Sequence, residues 1–314
     1  MRKQWLLLLV VSIMLVGCSA KRHEPITAKN FVATVNILEP SLSFFTPQGE
    51  PLATWHLDKA YTGATLVEDT VILYGFGLDK AVAYSLATGE KKYELKTGTG
   101  VTNIYYNTKQ AKIYIANGDT NRVHMYSLTG EPLKQIQVGN YPMSMLIHDD
   151  ELFVINYKDT VLQVLDANTL IEKRSFAIDK SANGLIVPDN TNELWLGGHG
   201  EGVRPNADVK RYNLQTGELL GKLEMPLMPI EFAQHNEEIY VVSHGRNTVY
   251  AVKPDGTALW KQDVGANPFA IATVGDTIFV AGYDDHKLYA ITDGVVIKEL
   301  DVQKGPFKLL VRED

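Results

Sequence analysis

The chain has 314 residues, 45% of them hydrophobic, which is apolar material enough for a packed core and not the composition of a disordered segment. Acidic residues outnumber basic ones 37 to 30, for a formal net charge of −7, and such a balance argues against the broad basic face that duplex nucleic acid requires. With one cysteine, neither an intrachain disulfide nor a vicinal cysteine pair is possible.

The first segment differs from everything after it. Arg2 and Lys3 precede an apolar run of eleven residues, Leu6 to Val16, too short to span a bilayer as a helix but suited to the core of a signal peptide. The run ends in Leu15-Val16-Gly17-Cys18, which resembles the lipobox of bacterial lipoproteins. The resemblance implies that residues 1–17 are removed and that Cys18 carries a diacylglycerol thioether. Each buried acyl methylene contributes about 0.8 kcal/mol, so two or more chains anchor a protein stably where one would not. The expectation is a protein held on the extracytoplasmic side of the cell membrane without crossing it. In a Gram-negative host Ser19 would suit outer-membrane sorting. Loss of residues 1–17 takes away two bases and no acid, moving the net charge from −7 to about −9. Residues 18–29 then comprise the lipidated cysteine and a tether. Residues 19–28 lack a strand pattern and, fully extended, reach at most about 35 Å.

From residue 30 to 314 a pattern of about forty residues recurs, each copy a set of alternating apolar runs ended by a tight turn. Asp69–Tyr74 leads to Tyr84-Ser85-Leu86-Ala87-Thr88-Gly89-Glu90; Lys112–Asn117 leads to Tyr126-Ser127-Leu128-Thr129-Gly130-Glu131; Glu193–Leu196 leads to Tyr212-Asn213-Leu214-Gln215-Thr216-Gly217-Glu218. The turn residue can be followed through Gly49, Gly89, Gly130, Asn168, Gly217, Gly256 and Gly294, and tight hairpins favour glycine there because they need φ > 0. Short strands at this period predict an all-β, seven-bladed β-propeller with strands a to d in each blade. In the sixth copy these are Ile230–Ala233, Glu238–Val242, Thr248–Val252 and Ala258–Gln262. The first copy opens directly on a b-like strand, Phe31–Val35, and the chain finishes on an orphan a-like strand, Gly305–Val311. That last strand is expected to complete the first blade and so cover the open sheet edges of a linear array.

Two resemblances follow from the repeats. Ile113-Tyr114-Ile115-Ala116-Asn117 followed by Val138-Gly139-Asn140-Tyr141-Pro142 is similar to the YVTN repeat, and Val264-Gly265-Ala266-Asn267-Pro268 matches its ending again. Val249–Trp260 resembles the quinoprotein-type repeat. Such families imply a propeller, but they include scaffolds, lactone-cleaving enzymes and quinone-dependent dehydrogenases.

Propeller ligands are met by the b–c and d–a loops around a central channel. The residues just past strand b in the second to seventh copies are Phe76, Gly118, Tyr157, His199, His244 and Tyr283. Five of the six are aromatic or imidazole, a bias that folding alone does not demand, although rim aromatics can also plug a channel mouth. Between the fourth and fifth turns lies an insertion, Gly197 to Asn206, in a b–c loop on the same face. Insertions of this kind cost little stability and often carry function. Its Gly198-x-Gly200-x-Gly202 is no phosphate loop, because no helix follows to hold an anion. His199, His244 and His286 with Glu201, Asp284 or Asp285 could ligate a metal, yet no spacing within one element matches a metal motif. A lactonase-like hydrolase could draw on Glu201, His199, His244, Arg204 and Arg246. Quinone chemistry lacks its residues: Trp260 is the one well-placed tryptophan of its repeat type.

The expectation is a non-enzymatic, lipid-anchored scaffold without cofactor or metal, binding a protein, peptide or glycan partner. Phe76, Tyr157, His199, Arg204, His244, Arg246 and Tyr283 are its candidate surface and Cys18 its anchor. A pore-centred hydrolase and an envelope-assembly lipoprotein stay open as alternatives.

Overall fold

The computed structural model describes residues 22–313; Cys18 and the segment before it lie outside the described residues. Within them, seven four-stranded antiparallel sheets stand around a common axis as the blades of a propeller. Blade 2 shows the plan: strand a, Gly63–Val67, lines the axis, b is Thr70–Tyr74, c is Ala81–Ser85, and d, Lys91–Leu95, forms the rim. Because neighbouring strands are antiparallel, all a–b and c–d turns lie on one face and all b–c and d–a loops on the other.

Blade 1 is assembled from both ends of the chain. Its b, c and d strands are Phe31–Asn36, Ser41–Phe45 and Pro51–His56, and its a strand is Pro306–Arg312. The closing register sets Ala33 opposite Leu310 and Phe31 opposite Arg312. The Arg312 guanidinium then bonds back to the Ala28 carbonyl, to the Lys29 carbonyl at 3.2 Å and to Asp69 of blade 2 at 3.0 Å, and lies over the Phe31 ring.

Burial follows position in the blade. Strand b packs on both faces and is buried throughout, as in Phe31–Asn36 and Thr70–Tyr74. Strand d alternates against solvent and bears exposed lysines (Lys91, Lys134, Lys173, Lys222, Lys261) that discourage edge-to-edge pairing. The apolar core is accordingly divided into clusters between blades, such as Phe31, Phe44, Trp55 and Leu73 between blades 1 and 2. Trp195, Val209, Ile239 and Val241 do the same between blades 5 and 6.

Two local features differ from the sequence reading. In the fourth c–d turn the left-handed residue is Leu170, at φ 56°, and not Asn168. Asp166 accounts for this: its carboxylate accepts the amides of Asn168 and Thr169 and the Thr169 hydroxyl, fixing a turn in which Leu170 occupies the place of Gly89. The second concerns residues 22–28. They form no strand, but they are docked along the turn-bearing face under blades 1 and 2. Arg22 bonds the Thr88 carbonyl at 2.6 Å, the His23 amide bonds the Gly89 carbonyl at 2.9 Å, and the His23 ring stacks on Trp55 at 4.7 Å. Trp55 Nε1 donates to the Glu24 carbonyl at 2.8 Å, and Ile26 enters the core at 2% exposure. Gly89 serves twice: its φ of 70° makes the turn, and a Cβ there would fall 1.9 Å from the His23 carbonyl oxygen.

The insertion in blade 5 also has a visible effect. Its strands b and c, Glu193–Gly198 and Asp208–Asn213, pair only as far as Leu196 opposite Lys210, whereas blade 6 pairs through Ser243 and Thr248 to the loop. Above Leu196 the strands part around a small hairpin, Gly200–Glu201 with Arg204–Pro205.

Candidate functional site

One backbone bond places the loop-end side chains. In blades 3 to 7 the amide just past strand b bonds the carbonyl just before strand a. These pairs are Gly118 to Gly100 at 2.7 Å, Tyr157 to Tyr141 at 2.9 Å, His199 to Ser181 at 3.1 Å, His244 to Met228 at 3.0 Å and Tyr283 to Asn267 at 3.2 Å. Each acceptor has φ > 0, which turns the chain into strand a at the axis. The next side chain of strand b is thereby held at the mouth of the channel.

The rings form one continuous arc. Phe76 lies 5.9 Å from Tyr141, Tyr141 6.2 Å from Tyr157, Tyr157 6.2 Å from His199, and His199 5.8 Å from His244, centroid to centroid. The arc continues from His244 to Phe269 at 4.3 Å and from Phe269 to Tyr283 at 5.5 Å and Phe307 at 4.9 Å. Five of its members belong to the column read from the sequence; Tyr141, Phe269 and Phe307 do not, since they come from the starts of strand a. The glycine of the column has a reason. A Cβ on Gly118 would sit 2.8 Å from the Tyr141 ring, so Tyr141 occupies the place an aromatic at 118 would take.

Beneath the arc is a cavity of about 240 Å³. Phe76, Tyr141, Phe269 and Phe307 wall its upper part, and Thr102, Asn103, Ser144 and Asn183 line it with polar groups. Three of these polar groups are held by hydrogen bonds: Thr102 donates to the Pro142 carbonyl at 2.6 Å and Ser144 to Asn183 Oδ1 at 2.8 Å. Across the channel Lys308 of blade 1 meets Glu231 of blade 6 at 3.0 Å. The Glu231 charge raises the Lys308 ammonium above its ordinary range, against the opposing effect of burial. The charges in the channel are thus matched.

The mouth histidines lean toward the neutral form. Burial lowers His199, and His244 beside it lowers it further; burial also lowers His244, partly offset by the Pro268 carbonyl and Asp284. His199 Nδ1 is buried without a hydrogen-bond partner, and His244 Nδ1 is 3.4 Å from the Pro268 carbonyl. Neither ring hydrogen-bonds a carboxylate among the described residues. His286 is held elsewhere, at the junction into blade 1, by Tyr283 and Gly305. Asp285 bonds the Ala266 amide and the Tyr289 hydroxyl. No group of three or more His, Cys, Asp or Glu side chains able to hold a metal occurs among the described residues.

Arg204 and Arg246 are not part of the arc. Arg204 and Glu201 stand on the blade 5 hairpin and line a separate cleft of about 360 Å³ with Asp179 and Lys210. Lys210 and Asp179 close one wall of that cleft as an ion pair at 2.6 Å. Arg246 is exposed on the short helical turn His244–Arg246. The residues the sequence offered for a hydrolase are therefore divided, with the imidazoles at the mouth and Glu201 and Arg204 in the cleft, while His199 shares the cavity beneath the arc with the paired Glu231 and Lys308.

A family model described as outer membrane protein assembly factor BamB matches residues 205–306, from the later part of blade 5 to the start of the closing strand, and supports the quinoprotein-like character of these repeats. No curated protein sequence matches the chain. Among solved structures, a functionally unknown protein from Desulfotomaculum acetoxidans DSM 771 superposes with a TM-score of 0.76 at 12% identity, covering 90% of this chain and 99% of that one. Virginiamycin B lyase from Staphylococcus aureus gives 0.67 at 14%, with 81% and 88% covered. BamB from Moraxella catarrhalis gives 0.60 at 13%, with 91% and 89% covered. At such identities the likeness is one of fold.

Proposed function

We propose that this chain is a lipid-anchored, extracytoplasmic scaffold that binds a protein, peptide or glycan partner at the aromatic mouth of its channel. The anchor is the diacylglycerol on Cys18 that the lipobox-like sequence implies. The observation that carries the binding reading is the arc itself: eight rings drawn from six blades, set 4.3–6.2 Å apart at an open mouth over a cavity of mixed apolar and polar lining. Aromatic anchors dominate the energy of interfaces, and a largely apolar rim with a few fixed polar groups suits recognition better than proton transfer. For a hydrolase, His199 and His244 stand apart from Glu201 and Arg204, and the acid that shares a cavity with His199, Glu231, is engaged by Lys308. The match of residues 205–306 to the assembly-factor family favours one version of this reading, in which the partner is a protein of the envelope-assembly machinery.

The test replaces Tyr157, His199, His244 and Tyr283 together by alanine. Pull-downs from envelope extract are compared for parent and variant, with a thermal melt of each. Loss of a defined partner at an unchanged melting temperature is expected. A large fall in melting temperature with the same species recovered would return the arc to packing and overturn the proposal.

A further inference from the structure

The docked segment 22–28 makes the direction of the propeller on its membrane a matter of geometry. This inference rests on the Cys18 anchor proposed above and goes on to ask which face the anchor holds down. Arg22 and His23 are bound at Thr88 and Gly89, the c–d turn of blade 2, on the rim of the turn-bearing face. The segment then runs inward under blades 1 and 2, pinned by Glu24 on Trp55, by Ile26 in the core and by Arg312 on Ala28. From Cys18 to Arg22 there are four residue steps, a reach of about 14 Å at full extension. The mouth opens on the opposite face. In blade 2 alone, the five residues of Ala81–Ser85 separate the two faces by about 17 Å, before the loops at either end are added.

We infer that the docked segment holds the turn-bearing face at blade 2 nearest the membrane and points the aromatic mouth away from it, into the aqueous compartment. The partner is then one that arrives from the water side, such as a soluble protein, an exposed loop or a glycan chain, and not a lipid headgroup. Charge works in the same direction for the remainder of that face, whose turns in blades 3 to 7 carry Glu131, Asp149, Glu218, Glu237, Asp276 and Asp293 against Lys109 and Lys253. Anionic lipid would repel them, leaving the segment as the one close approach.

The experiment uses the full lipidated chain in phosphatidylcholine vesicles containing a lipid-attached quencher. With Cys18 blocked by its lipid, one added cysteine is the only thiol to label. Ala87→Cys places a fluorophore beside the docked segment. Gly77→Cys places one at the mouth of the same blade, where a new side chain meets nothing within 4 Å. The expected result is loss of most emission at position 87 and none at position 77. A second chain with His23→Ala and Ile26→Asp releases the segment and lengthens the leash to about twelve residue steps, near 40 Å. It should still float with the vesicles while the contrast between the two labels disappears. Failure of the parent to float overturns the anchor and the orientation together. Flotation with equal quenching at both positions overturns the orientation alone, and a contrast that survives release of the segment refutes its role.

Discussion

Shortening one side chain of the closing strand should reveal how much of the ring depends on it. Leu310 is 5% exposed, lies opposite Ala33, and belongs to the cluster of Phe31, Phe44, Trp55 and Leu73 between blades 1 and 2. A buried leucine truncated to alanine loses its transfer energy and leaves a cavity, at about 2–5 kcal/mol. Leu309 points the other way and is only partly buried, against Val32, Phe279 and Leu288 on the blade 7 side, so the same change there should cost about 1–2 kcal/mol. In a chain of this length each kcal/mol moves the melting temperature by about 2 °C, giving falls of about 4–10 °C for Leu310→Ala and about 2–4 °C for Leu309→Ala. Deleting Pro306–Asp314 removes both, together with the Arg312 contacts and the Lys308–Glu231 pair. It leaves Phe31–Asn36 with an open edge, and the product should aggregate or be cut rapidly by protease. Circular dichroism melts with limited proteolysis measure all three. Equal small shifts for the two leucine variants, or a deletion that melts within about 2 °C of the parent, would refute closure by this strand.

Acid should weaken the fold through Glu151. Arg174 grips its carboxylate with two bonds of 2.7 Å and also reaches the Leu214 carbonyl of blade 5, Lys173 pairs with the same carboxylate, and together they hold the acid at about 2 against an ordinary 4.5. A depressed acid stabilises the fold above its unfolded value and loses that contribution as pH falls from 4.5 toward 2; with solvent screening of this partly exposed pair, Glu151→Gln should lower stability by about 1–2 kcal/mol at neutral pH. The variant's melting temperature should also change less with pH across that window; parallel profiles for parent and variant would rule the pair out as the cause. At the anchor, Cys18→Ala should abolish incorporation of a labelled fatty acid and leave the protein either with its leader retained or released from the membrane. Label that persists would overturn the Cys18 assignment.

The blade count was legible because it is written locally. Each tight turn needs a left-handed residue, and Gly49, Gly89, Gly130, Gly217, Gly256 and Gly294 all have φ between 70° and 91°. The fourth turn was misplaced by two residues because Asp166 caps it well enough for a leucine to adopt that conformation. Five of the eight rings of the mouth were legible, four of them for a similar reason. In blades 3 to 7 the residue past strand b shares one backbone bond and so one position, whereas Phe76 sits two residues past its strand and its amide bonds the Thr62 hydroxyl. Tyr141, Phe269 and Phe307 come from a second column, one residue before or after the proline that opens strand a, and lining up those prolines would have found them. The Glu231–Lys308 pair leaves no local mark, since its members are 77 residues apart and meet across the channel. The docking of residues 22–28 was equally silent. It depends on one isoleucine among polar neighbours and on backbone carbonyls, neither of which produces a periodic pattern.

The clasp between the ends of the chain also sets a timetable. Arg312 and Lys29 are bonded although 283 residues separate them in sequence. As the chain emerges from its synthesis, blades 2 to 7 can each pair their own strands in turn, but strand Phe31–Asn36 has no inner neighbour until the final residues appear. The first strand made must wait for the last. Contacts this remote are slow to form, and a half-built ring exposes both flanks of blade 1 meanwhile. The step most open to proteolysis or mispairing is therefore the final one, and a chain halted a few residues short would be left with six finished blades and no ring.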